Sequence, residues 1–223
     1  MRVSALVLLA LAAPAMAFQP SDVPLPEQVP GRVMGFTGTG QATARATATW
    51  QDFLAGEGRG WTARFDEVTQ APLRAYGPPI ALGRVRSAPE AEAAVMQFLS
   101  RNPGLVGVDT KSLQVLSANH NPVNDAWYVD VQQMVDRVPV QDARATFRVR
   151  NDTLVQFGST IAPAPLTAGV PTLSPQDAVD IAIFDGSAPD AEHEVQQTEL
   201  VYLPVVLDGG LTSRLAWRVR SET

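Results

Sequence analysis

WYVDVQQMVDRVPVQDARATFRVRNDTLVQFGSTI, residues 127–161, decides the fold. It reads as three antiparallel strands whose side chains alternate with almost no break. Trp127, Val129, Val131 and Val135 fall on one face, and Tyr128, Asp130, Gln132 and Met134 on the other. The next run sets Ala143, Ala145, Phe147 and Val149 inward against Arg144, Thr146, Arg148 and Arg150 outward. A period of two with one wet face belongs to an antiparallel sheet covered on one side. Asn151-Asp152 tolerates positive φ and closes the second hairpin. No catalytic motif lies anywhere in this stretch.

Upstream, WTARFDEVTQAPLRAY (61–76) reads as two short strands around a polar turn at Asp66 to Gln70, stopped by Gly77-Pro78-Pro79. Ser87-Ala88-Pro89-Glu90 begins a helix, with Ser87 as cap and Glu90 closing a capping box. Ala91, Ala94, Val95, Phe98 and Leu99 form its apolar stripe, and Asn102-Pro103-Gly104 ends it. LQVLSA (113–118) is a strand leading into a loop, NHNPVND. Residues 18–60, rich in Pro, Gly, Thr and Ala, read as a flexible leader.

Downstream, APAPLTAGVPTL (162–173) is a linker by composition, after which the order helix-then-strands recurs. Ser174 caps, Pro175 takes the first helical position, and Ala178, Val179, Ile181 and Ala182 supply the stripe. ELVYLPVVL and RLAWRV are strands around Asp208-Gly209-Gly210, with Leu215, Trp217 and Val219 sharing a face. The expected fold is α+β, in two modules over 61–161 and 174–223, each a helix packed on an antiparallel sheet.

The first residues predict export. Arg2 is a positive n-region, Val3 to Ala13 an apolar core too short to span a bilayer, and Ala15-Met16-Ala17 a small-x-small cleavage pattern. Cleavage between Ala17 and Phe18 gives a secreted, extracellular chain. It has no cysteine, so neither disulfides nor thiolate chemistry are available. Net charge is −6, and losing Arg2 takes it to −7, which argues against nucleic acid or an anionic membrane as partner.

The residues for catalysis are missing. A thermolysin-type zinc site needs two histidines at i and i+4, and the chain has only His120 and His193. His193-Glu194-Val195-Gln196-Gln197 begins like H-E-x-x-H, but Gln197 stands where the second imidazole must be. His120, in a turn-rich loop, reads as an exposed turn residue. No G-x-S-x-G occurs, and Glu90/Glu92 and Asp177/Asp180 serve first helical turns. Gly56-Glu57-Gly58-Arg59-Gly60 lacks the following helix of a phosphate loop. No catalytic or metal residue is assigned. Arg144, Arg148 and Arg150 form a basic strip that is the candidate partner contact.

Phe98-Leu99, Asn102-Pro103, Leu105 and Gly107, followed by Gln132-Gln133 and Val138-Pro139-Val140, resemble the fungalysin/thermolysin propeptide domain, a cystatin-like fold. Leu173-Ser174-Pro175, Ala178, ELVYLP and RLAWRV resemble a PepSY domain. The chain departs from the pattern at Asp136-Arg137, where the family has glycine and where arginine tolerates positive φ poorly. The resemblance implies the pro-region of a secreted zinc metalloprotease, acting as folding chaperone and temporary inhibitor. The implied partner is a cognate metalloprotease domain in cis, beyond Thr223. Zinc, with or without calcium, would belong to that domain and none to this chain. The alternative is a free-standing exported protease inhibitor or envelope binding module.

Overall fold

Ser87 starts the helix on which the first sheet is built. Its side chain accepts from Glu90 N (3.4 Å), and Glu90 Oε2 accepts from Arg86 N (2.6 Å). In the computed structural model, which describes residues 36–162, 169–186, 194–207 and 210–222, two helices come before it: α1 (Gly38–Arg45) and α2 (Ala48–Ala55). Two strands follow them, β1 (Thr62–Phe65) and β2 (Pro72–Ala81), and the helix begun at Ser87 is α3 (Ala88–Arg101). Beyond α3 the order is β3 (Leu113–Asn121), β4 (Ala126–Val135), β5 (Val138–Arg150), β6 (Thr153–Ser159), α4 (Pro175–Gly186), β7 (Glu194–Leu207) and β8 (Gly210–Glu222). The fold mixes helix and strand, and strand dominates.

The chain divides into two compact units. Within the described residues one holds 36–134 and 142–162, and the other holds 135–141, 169–186, 194–207 and 210–222. Strand order is β1-β2-β6-β5-β4-β3, with β7 paired to β5 and β8.

In the larger unit the apolar stripe of α3 is buried as its spacing predicts: Ala91, Val95 and Phe98 are fully enclosed. They meet Val129, Val131, Ala145, Phe147 and Val149 from the inner sheet face. On β5 the alternation is complete, with Ala143, Ala145, Phe147 and Val149 buried and Arg144, Thr146, Arg148 and Arg150 exposed. Asn151 and Asp152 have φ of 49° and 62°, the left-handed pair that a two-residue hairpin needs.

Four expectations need correction. Residues 36–60 are not a flexible leader, because α1 and α2 deliver Ala44, Trp50 and Phe53 into the core. Phe53 lies 5.2–6.2 Å, centroid to centroid, from Trp50, Trp61, Phe98 and Phe157. Eight-residue helices present too few turns for a stripe to show in sequence. Gly77-Pro78-Pro79 does not stop β2, which runs on to Ala81. Pairing with β1 ends at Thr62↔Tyr76 and the β6 register slips between Tyr76 and Ile80, so the prolines owe no ladder hydrogen bond. The Trp61 indole donates to Pro78 O (2.8 Å), and a Cβ at Gly77 would sit 2.5 Å from that ring.

Strand β3 continues through His120 to Asn121, so the expected loop shrinks to Pro122–Asp125. Strand alternation puts Gln132 on the wet face, yet Gln132 and Gln133 are both buried. Their amides explain it. Gln132 Nε2 donates to Ala143 O (3.0 Å), and Gln133 binds the Ala162 backbone through both ends.

In the second unit Ser174 caps α4, exchanging hydrogen bonds with Asp177 (2.7–3.1 Å). These bonds, the Ser174 hydroxyl first, hold the Asp177 carboxyl below its ordinary range. Ala178 and Ala182 pack on Val219, with Trp217 and Val195 beside them. β7 and β8 pair antiparallel from Glu194↔Glu222 to Leu207↔Gly210. Across that ladder Arg218 pairs with Glu199, and it also donates to Gln141 (2.8 Å). Asp136 and Arg137 both adopt positive φ, 48° and 69°, so the glycine-type turn forms without glycine.

Candidate functional site

The outward residues of β5 share their face with side chains from β1, β2, β3, β4 and β6. Register sets Tyr76 beside Gln156 and Gln156 beside Arg148, crossing β2, β6 and β5 in one row. The Arg148 guanidinium then lies 4.9 Å from the centre of the Tyr128 ring on β4, and Tyr128 is opposite Asn119 on β3. With strands about 5 Å apart, this polar-aromatic row crosses roughly 20 Å of sheet.

The same face is basic. Arg144, Arg148 and Arg150 are exposed along β5, and Arg64 and Arg74 are exposed on β1 and β2, directly opposite each other. Arg144 is steadied by Gln132 Oε1 (3.3 Å) and Arg64 by the Phe36 ring (3.4 Å to its centroid). None of the five makes a salt bridge among the described residues. Asp130 is the acid on this part of the face, and Ser117 Oγ donates to it (3.3 Å). The three arginines expected as a contact strip are therefore brought together and joined by two more. Alternation in TARF and PLRAY marks Arg64 and Arg74 as outward, but only the β2–β6 pairing shows that they share the β5 face.

A second feature is a polar cleft of about 390 Å³ lined by Val85, Arg86, His120, Asp125, Trp127, Asn151 and Asp152. His120 contacts Asp125 through Nε2 (2.9 Å) and lies on the Trp127 ring at 4.9 Å. Arg86 grips both Asp152 oxygens, with Nη2 to Oδ2 at 2.9 Å, and Val85 N donates to Oδ1 (3.0 Å). The guanidinium first, and the amide after it, hold the Asp152 carboxyl below the usual range, and Asp152 raises Arg86 in return. Arg86 and Asp152 pair within this cleft, which forms a clamp between the start of α3 and the β5–β6 turn.

No group of three or more His, Asp or Glu residues able to hold a metal ion occurs among the described residues. His193, Ala17 and Phe18 lie outside the described residues, and no described helix is long and apolar enough to cross a membrane. Compared with known protein families and with characterised proteins, the chain matches none.

Proposed function

We propose that this chain works by binding another protein, as the pro-region of a secreted zinc metalloprotease that templates folding of the protease and covers its cleft until removal. The observation that carries the reading is where the propeptide-like residues sit. Phe98 and Leu99 are core, and Asn102 caps α3 through Phe98 O (2.9 Å) and also binds Glu57. Leu105 is buried and Gly107 has φ of 98°. Gln132 and Gln133 lock strands to neighbouring backbone, and Val140 is buried and pairs with Tyr202. The motif thus builds a frame of helix on antiparallel sheet, and on the proposed reading the opposite face is the partner's. On this reading the frame is cystatin-like, and α4 with β7 and β8 is its PepSY-like companion.

Template action suits the physics of secreted proteases. An enzyme selected to unfold slowly has a high folding barrier as well, and a bound prodomain lowers it by contacts made in the transition state. Zinc and the hydrolytic residues belong, on this account, to the partner.

The test is inhibition in trans. The coding sequence beyond Thr223 is read for H-E-x-x-H, and the domain that carries it is assayed on a peptide substrate with this chain added. Saturable inhibition that disappears when the chain is digested supports the reading. A stop codon favours a free-standing exported inhibitor or binding module, and undiminished hydrolysis at saturating chain overturns the pro-region.

A further inference from the structure

We infer that the exposed sheet face is an acceptor for an acidic protein surface, with Arg74, Arg148 and Arg150 as its principal carboxylate contacts. The inference deepens the pro-region reading and rests on it for the partner's identity alone.

Two independent observations carry it. Five of the chain's seventeen basic residues lie on this one face, although the whole carries −6. The charge is concentrated, not shared out. Secondly, Arg64 and Arg74 are directly opposed across β1 and β2. Like charges in that position destabilise a strand pair, and neither arginine makes a salt bridge among the described residues. A carboxylate from outside would relieve the repulsion and accept paired hydrogen bonds from the planar guanidinium groups.

The chain's charge also decides the class of partner. A uniformly anionic polymer such as a nucleic acid would gain at this face and be repelled by the acidic remainder. A folded protein can set a few carboxylates against the face and turn neutral or basic surface towards the rest. Tyr76, 55% exposed, and Tyr128 add flat apolar area of the kind enriched where proteins meet.

The experiment titrates the full chain with a dye-labelled triglutamate peptide, short enough to lie within the face and clear of the acidic remainder, and, separately, with a short DNA duplex, following anisotropy. Binding of the peptide should saturate at about 0.05 M salt and weaken at least about tenfold by about 0.5 M, where screening is short-ranged. R74E/R148E/R150E should abolish it, and R74Q/R148Q/R150Q should reduce it to background. The neutral variant serves if the charge-reversed chain does not fold. Arg64 and Arg144, which contact Phe36 and Gln132, are kept so that the variants alter only the three principal contacts; Tyr128→Leu serves as the control for loss of the Arg148 ring contact. No saturable binding, equal binding by the variants, or tighter binding of DNA would each overturn the inference. The two claims fail separately: a chain that inhibits the protease without binding the peptide keeps the pro-region and loses the acidic acceptor. The opposite pair of results keeps the acceptor and loses the pro-region.

Discussion

Gln133 holds the backbone of Ala162 with both ends of its amide: Nε2 donates to the carbonyl at 2.9 Å, and Oε1 accepts from the N–H at 3.0 Å. Both residues are buried, and the bond ties the end of β4 to the chain leaving β6. Gln133→Ala removes two hydrogen bonds and strands two buried backbone groups. We expect a loss of about 2–4 kcal/mol in urea unfolding. Gln133→Met, which keeps the volume, should lose nearly as much, because the cost lies in the unpaired peptide and not in a cavity.

Phe53 tests whether 36–60 belongs to the folded body. Its ring is 3% exposed and meets four other aromatic rings. Phe53→Ala should cost about 3–5 kcal/mol. A shift in the unfolding midpoint no greater than that of an exposed substitution such as Gln51→Ala would return the segment to a leader.

At Asp136-Arg137 the turn carries strain that glycine would relieve. Left-handed backbone costs an ordinary residue about 1–2 kcal/mol, and glycine loses about 0.5–1 kcal/mol more entropy on folding. Arg137→Gly should therefore stabilise by roughly 0.5 kcal/mol, a small rise in thermal midpoint measured by calorimetry. A fall would show that the guanidinium has a structural contact.

Acid should open the clamp between Arg86 and Asp152. The Asp152 carboxyl titrates below its ordinary value of 3.8 in the folded chain. A depressed carboxyl contributes stability that is fully present above the unfolded value and is lost as pH falls through the folded one. Wild-type stability should decline below about pH 4 with a component missing from Asp152→Asn. Asparagine tolerates the 62° φ, and its amide nitrogen replaces one of the two oxygens that Arg86 grips, so the comparison removes the titratable carboxylate together with one acceptor. Superimposable acid limbs for the two proteins would remove Asp152 from the account.

Much of this architecture is legible in the sequence where one rule acts alone. The β5 alternation, the α3 stripe and the Ser87 and Ser174 caps each follow from a single periodicity or a single hydrogen bond, and the residues named from the sequence are the ones that act. Legibility fails where two demands meet. Gln132 and Gln133 are adjacent and both buried, which no period-two rule permits, because each amide serves a backbone group remote in sequence. Gly77-Pro78-Pro79 looks like a stop until the missing β1 neighbour is known. Of the basic face, the sequence shows three arginines on one strand. The other two join it through the pairing of β2 with β6, strands separated by more than seventy residues, and no local pattern encodes that contact.

The central claim, that this frame templates a protease, is tested most directly by refolding. The pro-region reading calls for a zinc endopeptidase domain in the coding sequence beyond residue 223; that domain is denatured, diluted into buffer with zinc, and assayed with and without an equimolar amount of this chain, which is then digested away. The account predicts recovered activity several-fold higher with the chain present, about tenfold if it lowers the folding barrier by about 1.4 kcal/mol. Equal recovery in the two samples would contradict it.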